Sequence, residues 1–393
     1  MKKLLALVLS MVMAASLAAP ASAASQISLV LDGSTVTGAT EVPPEIKDGR
    51  TMIPIRALAE PLGADVGWDQ ATRQVTLERA GVTIVMTVDS TTAYVNGKAV
   101  EMDVAPYITN GRTLIPARYV GEFFGQKVDW DGEKRQVVVT EDKSVAGDSN
   151  LEQWALPMGA IQQGLNEGSH RWFAYKRAFT VSNYTPNGGR GTREVLPAER
   201  CRDMLSYGWD INSREELIYT VCAMTIHGHN DSFFEAVEVA NSLTSAEYNE
   251  IISGGGVDAY MFPYTKQLSE KWGDRGIICW DLFRMSSLVQ FGYTAGYVTY
   301  AEALALLEPA AILLCANFSS WEEAYENYLE GYNWWARNNV LDKDIWETSR
   351  GISYGMIAAD KQYNTLDDTL FETGVIPVPG VTAEELLRSV IAN

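Results

Sequence analysis

The sequence predicts two folded units of different class: an α+β unit made of two ββαββ-like repeats, then a mainly α-helical unit. Three observations carry this. A self-similarity at a constant offset of 62 residues lies before residue 141. Strand-like alternation nearly vanishes after residue 150, and a polar run without period separates the two regions. A chain of 393 residues also exceeds what one hydrophobic core usually serves.

In chain order, Met1-Lys2-Lys3, the apolar run Leu4 to Leu17 and Ala21-Ser22-Ala23 form a secretory signal peptide over residues 1–23. No cysteine follows the apolar run, so lipid anchoring is not expected. The mature chain is expected to carry no transmembrane segment. Its most apolar stretch, Ala301 to Cys315, has about fifteen residues where a bilayer needs roughly twenty.

Residues 24–141 hold the repeat. Gly49-Arg50-Thr51-Met52-Ile53-Pro54-Ile55-Arg56 recurs as Gly111-Arg112-Thr113-Leu114-Ile115-Pro116-Ala117-Arg118. Trp68-Asp69 recurs as Trp130-Asp131, and Arg73-Gln74-Val75 as Arg135-Gln136-Val137. Asp32-Gly33 and Asn96-Gly97 are matching hairpin turns. Each copy reads hairpin, extended link, short helix and two strands, with Gly63 and Gly125 as left-handed helix caps. One copy buries little alone, so the two are expected to share a core, with Trp68 and Trp130 in equivalent buried positions.

These residues resemble the copper amine oxidase-like N-terminal domain, a stalk module of secreted bacterial proteins. The resemblance implies an extracellular module that does not carry the oxidase chemistry. That chemistry needs three histidines on copper and a quinone made from tyrosine in Asn-Tyr-Asp/Glu. His227-Gly228-His229 supplies a pair and His170 is the one other histidine, but Asn183-Tyr184 runs into Thr185 and Asn327-Tyr328 into Leu329. A helix ending near Ile226 with Gly228 beyond it accounts for His227 and His229 as structural residues, with no metal and no cofactor expected.

Residues 142–150 read as a linker. In residues 151–393, helices are predicted at Leu151 to Leu165, Pro197 to Tyr207, from the cap Ser213-x-x-Glu216, and at Ser232 to Asn241, Ala246 to Ile252 and Tyr264 to Trp272. Three more fill Cys279 to Trp335, two of them opened by Thr299-x-x-Glu302 and Ser320-x-x-Glu323, and a last one covers Ala383 to Ile391. Ala301 to Cys315 is apolar almost all round and is expected at the centre of the bundle. Asn183 to Arg193 reads as a Gly- and Asn-rich loop. The ordered elements Trp209-Asp210-Ile211, Gly228-His229, Trp280-Asp281-x-x-Arg284, Ala295-Gly296-Tyr297, Ser320-Trp321-Glu322-Glu323 and Gly331-Tyr332-x-Trp334-Trp335 resemble the DUF1266 family, over roughly Trp154 to Trp346. That resemblance implies a fold and no established activity.

Without Lys2 and Lys3 the chain has 29 basic and 50 acidic residues, a net charge of −21, which disfavours nucleic acid and anionic lipid. Cys201, Cys222, Cys279 and Cys315 either form two disulfides or remain thiols in apolar helical sequence.

Asp281 and Arg284 share a helix face, and Asp281 is expected to be a buried carboxylate that needs Arg284 or another donor. Asp281 with Glu302 or Glu322 could instead serve acid and base work on a glycosidic bond. Trp321, Tyr325, Tyr328, Tyr332 and Trp335 form an aromatic stripe that is either core or a sugar-stacking surface, to be decided by exposure. The preferred reading is a secreted, envelope-associated protein whose helical unit binds an extracellular or envelope ligand, polymer or protein. The alternative is a hydrolase of an envelope polymer using carboxylates near Asp281.

Overall fold

The computed structural model describes residues 26–36, 42–165, 179–184, 190–341, 344–360 and 365–392. Residues 1–23, read from the sequence as a signal peptide, and His170 lie outside the described residues. Among the described residues two large hydrophobic cores are present, one drawing on Ile27 to Val139 and the other on Ala146 to Leu386, with a small third cluster of Val42, Met52, Val104 and Leu114.

The first core is sheet and short helix. Its elements are β1 (Ser28–Leu31), β2 (Ser34–Thr35), β3 (Glu45–Lys47), β4 (Arg50–Pro54), α1 (Ile55–Ala59), β5 (Asp65–Asp69), β6 (Gln74–Arg79) and β7 (Val82–Thr87). The second copy supplies β8 (Thr92–Val95), β9 (Lys98–Glu101), β10 (Tyr107–Thr109), β11 (Arg112–Pro116), α2 (Ala117–Phe123), β12 (Gln126–Asp131) and β13 (Gln136–Glu141). Both hairpin turns have positive φ at both central residues, at Asp32-Gly33 and Asn96-Gly97, as a type I′ turn requires.

The copies exchange strands. β12 and β13 of the second copy join β1 and β2 of the first in the order β12-β13-β1-β2. β5 and β6 of the first join β8 and β9 of the second through β7. Between them β4 lies antiparallel to β11, with Ile53 opposite its own repeat equivalent Ile115. Symmetry breaks at β7. Its 62-residue equivalent falls in the polar run, where Lys143–Ala146 is a 3-10 turn instead of a strand, and β13 pairs directly with β1 in parallel. Trp68 and Trp130 are equivalent, opposite Val75 and Val137, but both are exposed, at 39% and 41%. The cause is edge position and not face: the tryptophans share the face of their buried cross-strand partners Val75 and Val137, but lie on the edge strands β5 and β12, which no further strand flanks among the described residues.

The second unit comprises α3 (Leu151–Leu165), β14 (Phe179–Tyr184), β15 (Arg190–Val195), α4 (Pro197–Trp209), α5 (Arg214–Met224), α6 (His229–Ser242), α7 (Ser245–Gly254) and α8 (Val257–Trp272). It continues with α9 (Ile278–Ala295), α10 (Tyr300–Asn317), α11 (Trp321–Trp335), α12 (Ser349–Ala359), α13 (Thr369–Thr373) and α14 (Ala383–Ile391). β14 and β15 pair antiparallel, so the described residues of the segment read as a loop, 183–184 and 190–193, belong to a strand pair.

The centre of the bundle is α9, not the more apolar α10. Every residue of α9 except Ile278 and Arg284 is buried, and α3, α4, α5, α6, α10 and α11 pack on it. Its polar residues are satisfied within the core: Ser286 donates to the Ala155 carbonyl at 3.1 Å, and Ser287 and Thr294 donate to carbonyls one turn back. By length and composition α10 is the one helix among the described residues able to cross a membrane; here it packs on α3, α9 and α14, with Ile312 turned outward. Cys201, Cys222, Cys279 and Cys315 are free thiols, and burial pushes the first three up in pKa.

The run 142–150 is tied down at both ends. Asp142 accepts from Ser144 N and meets Lys127, while Asn150 holds Gly374 O and Ile376 N, each at 2.8 Å. Between the two cores, Gly63 at the end of α1 meets Gly296 at the end of α9. A Cβ on Gly296 would lie 2.2 Å from Gly63 O, and Ala80 N donates to Gly296 O at 2.8 Å. Arg202 clamps the contact, donating to Gly63 O, Ala295 O and Asp65. Beside it Tyr293 donates to Glu141, a carboxylate raised in pKa by burial and pulled back by Tyr293, Gln126 and Arg79.

Gly296→Ala is expected to destabilise by about 1–2 kcal/mol from its left-handed backbone alone, with a further loss from the contact with Gly63. Gly125→Ala has the same positive φ and open space around it. Thermal melts of the two variants should therefore separate, and equal melting temperatures would rule out a tight glycine contact.

Because Glu141 has a raised folded pKa, its contribution favours folding below the ordinary carboxylate range, about 4.3, and fades as pH rises through the folded value. Glu141→Gln keeps an acceptor for Tyr293 and removes that charge. Its melting temperature should gain on the parent's as pH rises from about 4 to neutrality; a constant difference would contradict the burial.

Candidate functional site

The residues singled out by sequence around Asp281 assemble at the meeting of α6, α9 and α11. Both α6 and α9 start on residues without a capping side chain, Gly228 and Ile277. A helix start leaves backbone N–H groups unpaired, and here each helix caps the other. Asp281 Oδ2, on α9, accepts from Asn230 N of α6 at 2.9 Å. Asn230 Oδ1, on α6, accepts from Ile277 N at 2.6 Å. Asn327 of α11 completes the start of α9, accepting from Cys279 N at 3.0 Å and donating to Gly276 O at 2.8 Å.

Close approach explains the glycines. A Cβ on Gly228 would lie 2.4 Å from Asp281 Oδ2, and one on Gly276 2.3 Å from Asn230 Oδ1. Gly228 has φ −136°, so it is not the left-handed cap read from the sequence; what it supplies is space for a carboxylate. Gly331 lets α11 lie against Trp280 and Ile277.

Asp281 is buried, as expected, but Arg284 is not its main partner. The closest Arg284–Asp281 approach is 3.7 Å, whereas Asn230 N and His229 are nearer. Nδ1 of His229 lies 3.1 Å from Asp281 Oδ1 and 2.8 Å from Arg284 Nη1. That nitrogen either accepts from Arg284 or, when protonated, donates to Asp281; it cannot do both. His227 is exposed and meets only Asp231, so the two histidines turn to different partners.

The other candidate carboxylates lie elsewhere. Glu302 caps α10 through Thr299 and pairs with Arg214 at 2.7 Å, close to the first unit. Glu322 is exposed in the first turn of α11. No second carboxylate joins Asp281 among the described residues, and no group of three or more His, Cys, Asp or Glu placed to hold a metal occurs among them.

The aromatic stripe divides. Trp321, Tyr325 and Tyr328 are core, while Tyr332 is half-buried and Trp335 is 45% exposed. At that end Trp280 packs on Trp335 at 5.1 Å and Tyr332 at 5.4 Å between ring centres. Arg284 lies over Trp209 at 4.4 Å and Trp280 at 5.0 Å; Arg350 lies over Tyr332 at 4.1 Å and donates to Tyr328 Oη at 2.6 Å. His229 and Trp335 also border a cavity of about 510 Å³ between α6 and α8. Arg350 and the cavity were not foreseen: nothing in the sequence near Arg350 marks it, since its partners come from α11.

Residues 30–139 match the family model of the copper amine oxidase N-terminal domain, and residues 204–367 that of a protein of unknown function, DUF1266. The two matches fall in the order read from the sequence. Among curated proteins, uncharacterized protein YbeU of Escherichia coli (strain K12) is 27% identical over 35% of this chain and 59% of its own length. Uncharacterized protein YbeR of the same organism is 20% identical over 40% of this chain and 72% of its own length. The chain thus spans about three-fifths of YbeU. Within the DUF1266 match, the Gly228-His229, Trp280-Asp281-x-x-Arg284 and Gly331-Tyr332 elements are one physical assembly: the exchanged caps and the clearances they need.

Asp281→Ala would strip the cap from α6 and leave Arg284 without its nearest countercharge, an expected cost of about 3–5 kcal/mol. Arg284→Ala leaves Asp281 with Asn230 N and His229, so about 1–3 kcal/mol, mostly lost packing and one hydrogen bond, is expected. Chemical denaturation of both variants checks this order; a larger loss for Arg284→Ala would reverse the assignment of partners.

Proposed function

We propose that this is a secreted, envelope-associated protein that acts by binding, the α+β unit serving as a stalk for the helical unit. The observation that carries it is the occupation of Asp281: one oxygen caps α6 and the other meets His229. A carboxylate so held is a structural anchor, and Glu302 and Glu322 do not join it to form an acid–base pair. The signal-peptide pattern of residues 1–23 and the match to a copper amine oxidase N-terminal domain support an extracellular setting. The glycine contact and the Arg202 clamp suit a unit presented at a fixed angle.

The test is to express the chain with its leader in a bacterium, recover the processed protein, and incubate it with insoluble peptidoglycan. After centrifugation the pellet is assayed for protein and the supernatant for new reducing ends. Processing near Ala23, retention in the pellet and no release of sugar are expected. An unprocessed cytosolic chain, or steady release of soluble fragments, would overturn the reading.

A further inference from the structure

Among the described half-buried cations of the helical unit, Arg202, Arg214 and Arg275 each meet a carboxylate within 2.7 Å. Arg200, Lys266, Arg284 and Arg350 have no dedicated acid among the described residues, and of these Arg284 and Arg350 lie together on one ring system. Arg275 meets Glu323 at 2.6 Å, Arg214 meets Glu302 at 2.7 Å and Arg202 meets Asp65 at 2.7 Å. Arg284 and Arg350 are different. Arg350 has no carboxylate within salt-bridge distance among the described residues, and Arg284 has only the 3.7 Å approach to an Asp281 already engaged. In a chain with 50 acidic and 31 basic residues, two such arginines brought to one tryptophan with no dedicated acid between them do not arise from scarcity of partners. Burial also lowers the Arg284 pKa against the pull of Asp281, as expected where countercharge is short.

Both guanidinium groups flank one ring system. They lie 5.0 and 6.0 Å from the centre of Trp280, whose buried indole N–H has no hydrogen-bond partner among the described residues. Next to it Trp335 presents an exposed ring at the edge of the cavity that His229 also lines. Guanidinium forks suit planar or tetrahedral oxyanions, and a flat indole suits the apolar face of a sugar ring.

We propose that Arg350, Arg284 and Trp335 form a binding site for a saccharide bearing an oxyanion, a carboxylate or a phosphate, with the anion on the arginines and the ring on Trp335. This rests on the binding reading of the helical unit and names its ligand class. The net positive pair offsets the long-range repulsion that so acidic a chain exerts on an anionic ligand.

Tryptophan fluorescence titrations of the mature chain test it, with oligogalacturonate for the carboxylate, glucose 6-phosphate for the phosphate and a malto-oligosaccharide as the neutral control. Saturable, salt-sensitive binding of one or both anionic probes, and not of the neutral one, is expected; which of the two binds identifies the source of the anion. Arg350→Gln and Trp335→Ala should each weaken it about ten-fold or more, while Arg388→Gln, at an exposed pair far along the chain, should not. Arg350→Lys keeps charge without the fork and should also weaken it, a readout that holds should Arg350→Gln fold poorly. The proposal is overturned by equal affinity for neutral and anionic probes, by no binding, by undiminished binding in Arg350→Lys, or by tighter binding of polyglutamate than of either saccharide. Retention on peptidoglycan that Arg350→Gln leaves intact would sink this site while sparing the binding function; soluble-probe binding without retention would do the reverse.

Discussion

Two helices that cannot cap themselves begin side by side, and each supplies the other's missing acceptor: Asp281 for α6 and Asn230 for α9. Unpaired N–H groups at a buried helix start cost about 1–3 kcal/mol apiece, so neither helix is stable in its place without the other. The exchange sets the distance between α6 and α9 to the length of two short side chains. Gly228 and Gly276 are then required, because any side chain there would occupy the position of a carboxylate or amide oxygen. Everything at the surface end of the bundle inherits this geometry. Trp280, next to Asp281, is held where α11 crosses at Gly331, and Trp280 in turn positions Arg284, Tyr332 and Trp335.

The repeat, the boundary of the two cores and most helices were legible because they rest on local signals: recurring motifs, turn pairs and caps. Thr299 and Glu302 form the full reciprocal cap. At Ser213 and Ser320 the serine caps as read, but Glu216 and Glu323 return to the backbone one residue earlier, at Asn212 and Ser319. The misread centre of the bundle has a plain cause. Hydropathy favours α10, yet Ser286, Ser287, Gln290 and Thr294 of α9 satisfy their own polar groups inside the core and so add little cost.

The candidate site was legible in part. Asp281, Arg284 and His229 stood out by type, and spacing placed the first two on one face. Their partnership could not be read, because the decisive bonds join residues about fifty positions apart through backbone N–H groups that carry no sequence identity. A buried aspartate three residues before an arginine suggests an ion pair; the structure instead makes it a helix cap. The tryptophans of the repeat failed for a related reason. Size and recurrence suggested burial, whereas pairing puts both tryptophans on the edge strands β5 and β12, beside Val75 and Val137 that take the core.

The strand exchange in the first unit bears on how such a chain can arise. Each outer sheet takes its edges from different copies, and the central one closes through Ile53 against Ile115 about a local twofold axis. A polypeptide holding one copy would have every complementary surface but none of its partners, and two such molecules together would have all of them. Fusing two copies would therefore keep the contacts that two separate copies could make, with β7 as the connector. The two-copy unit is in this sense a homodimeric arrangement made covalent, with the pairing of its copies freed from dependence on concentration.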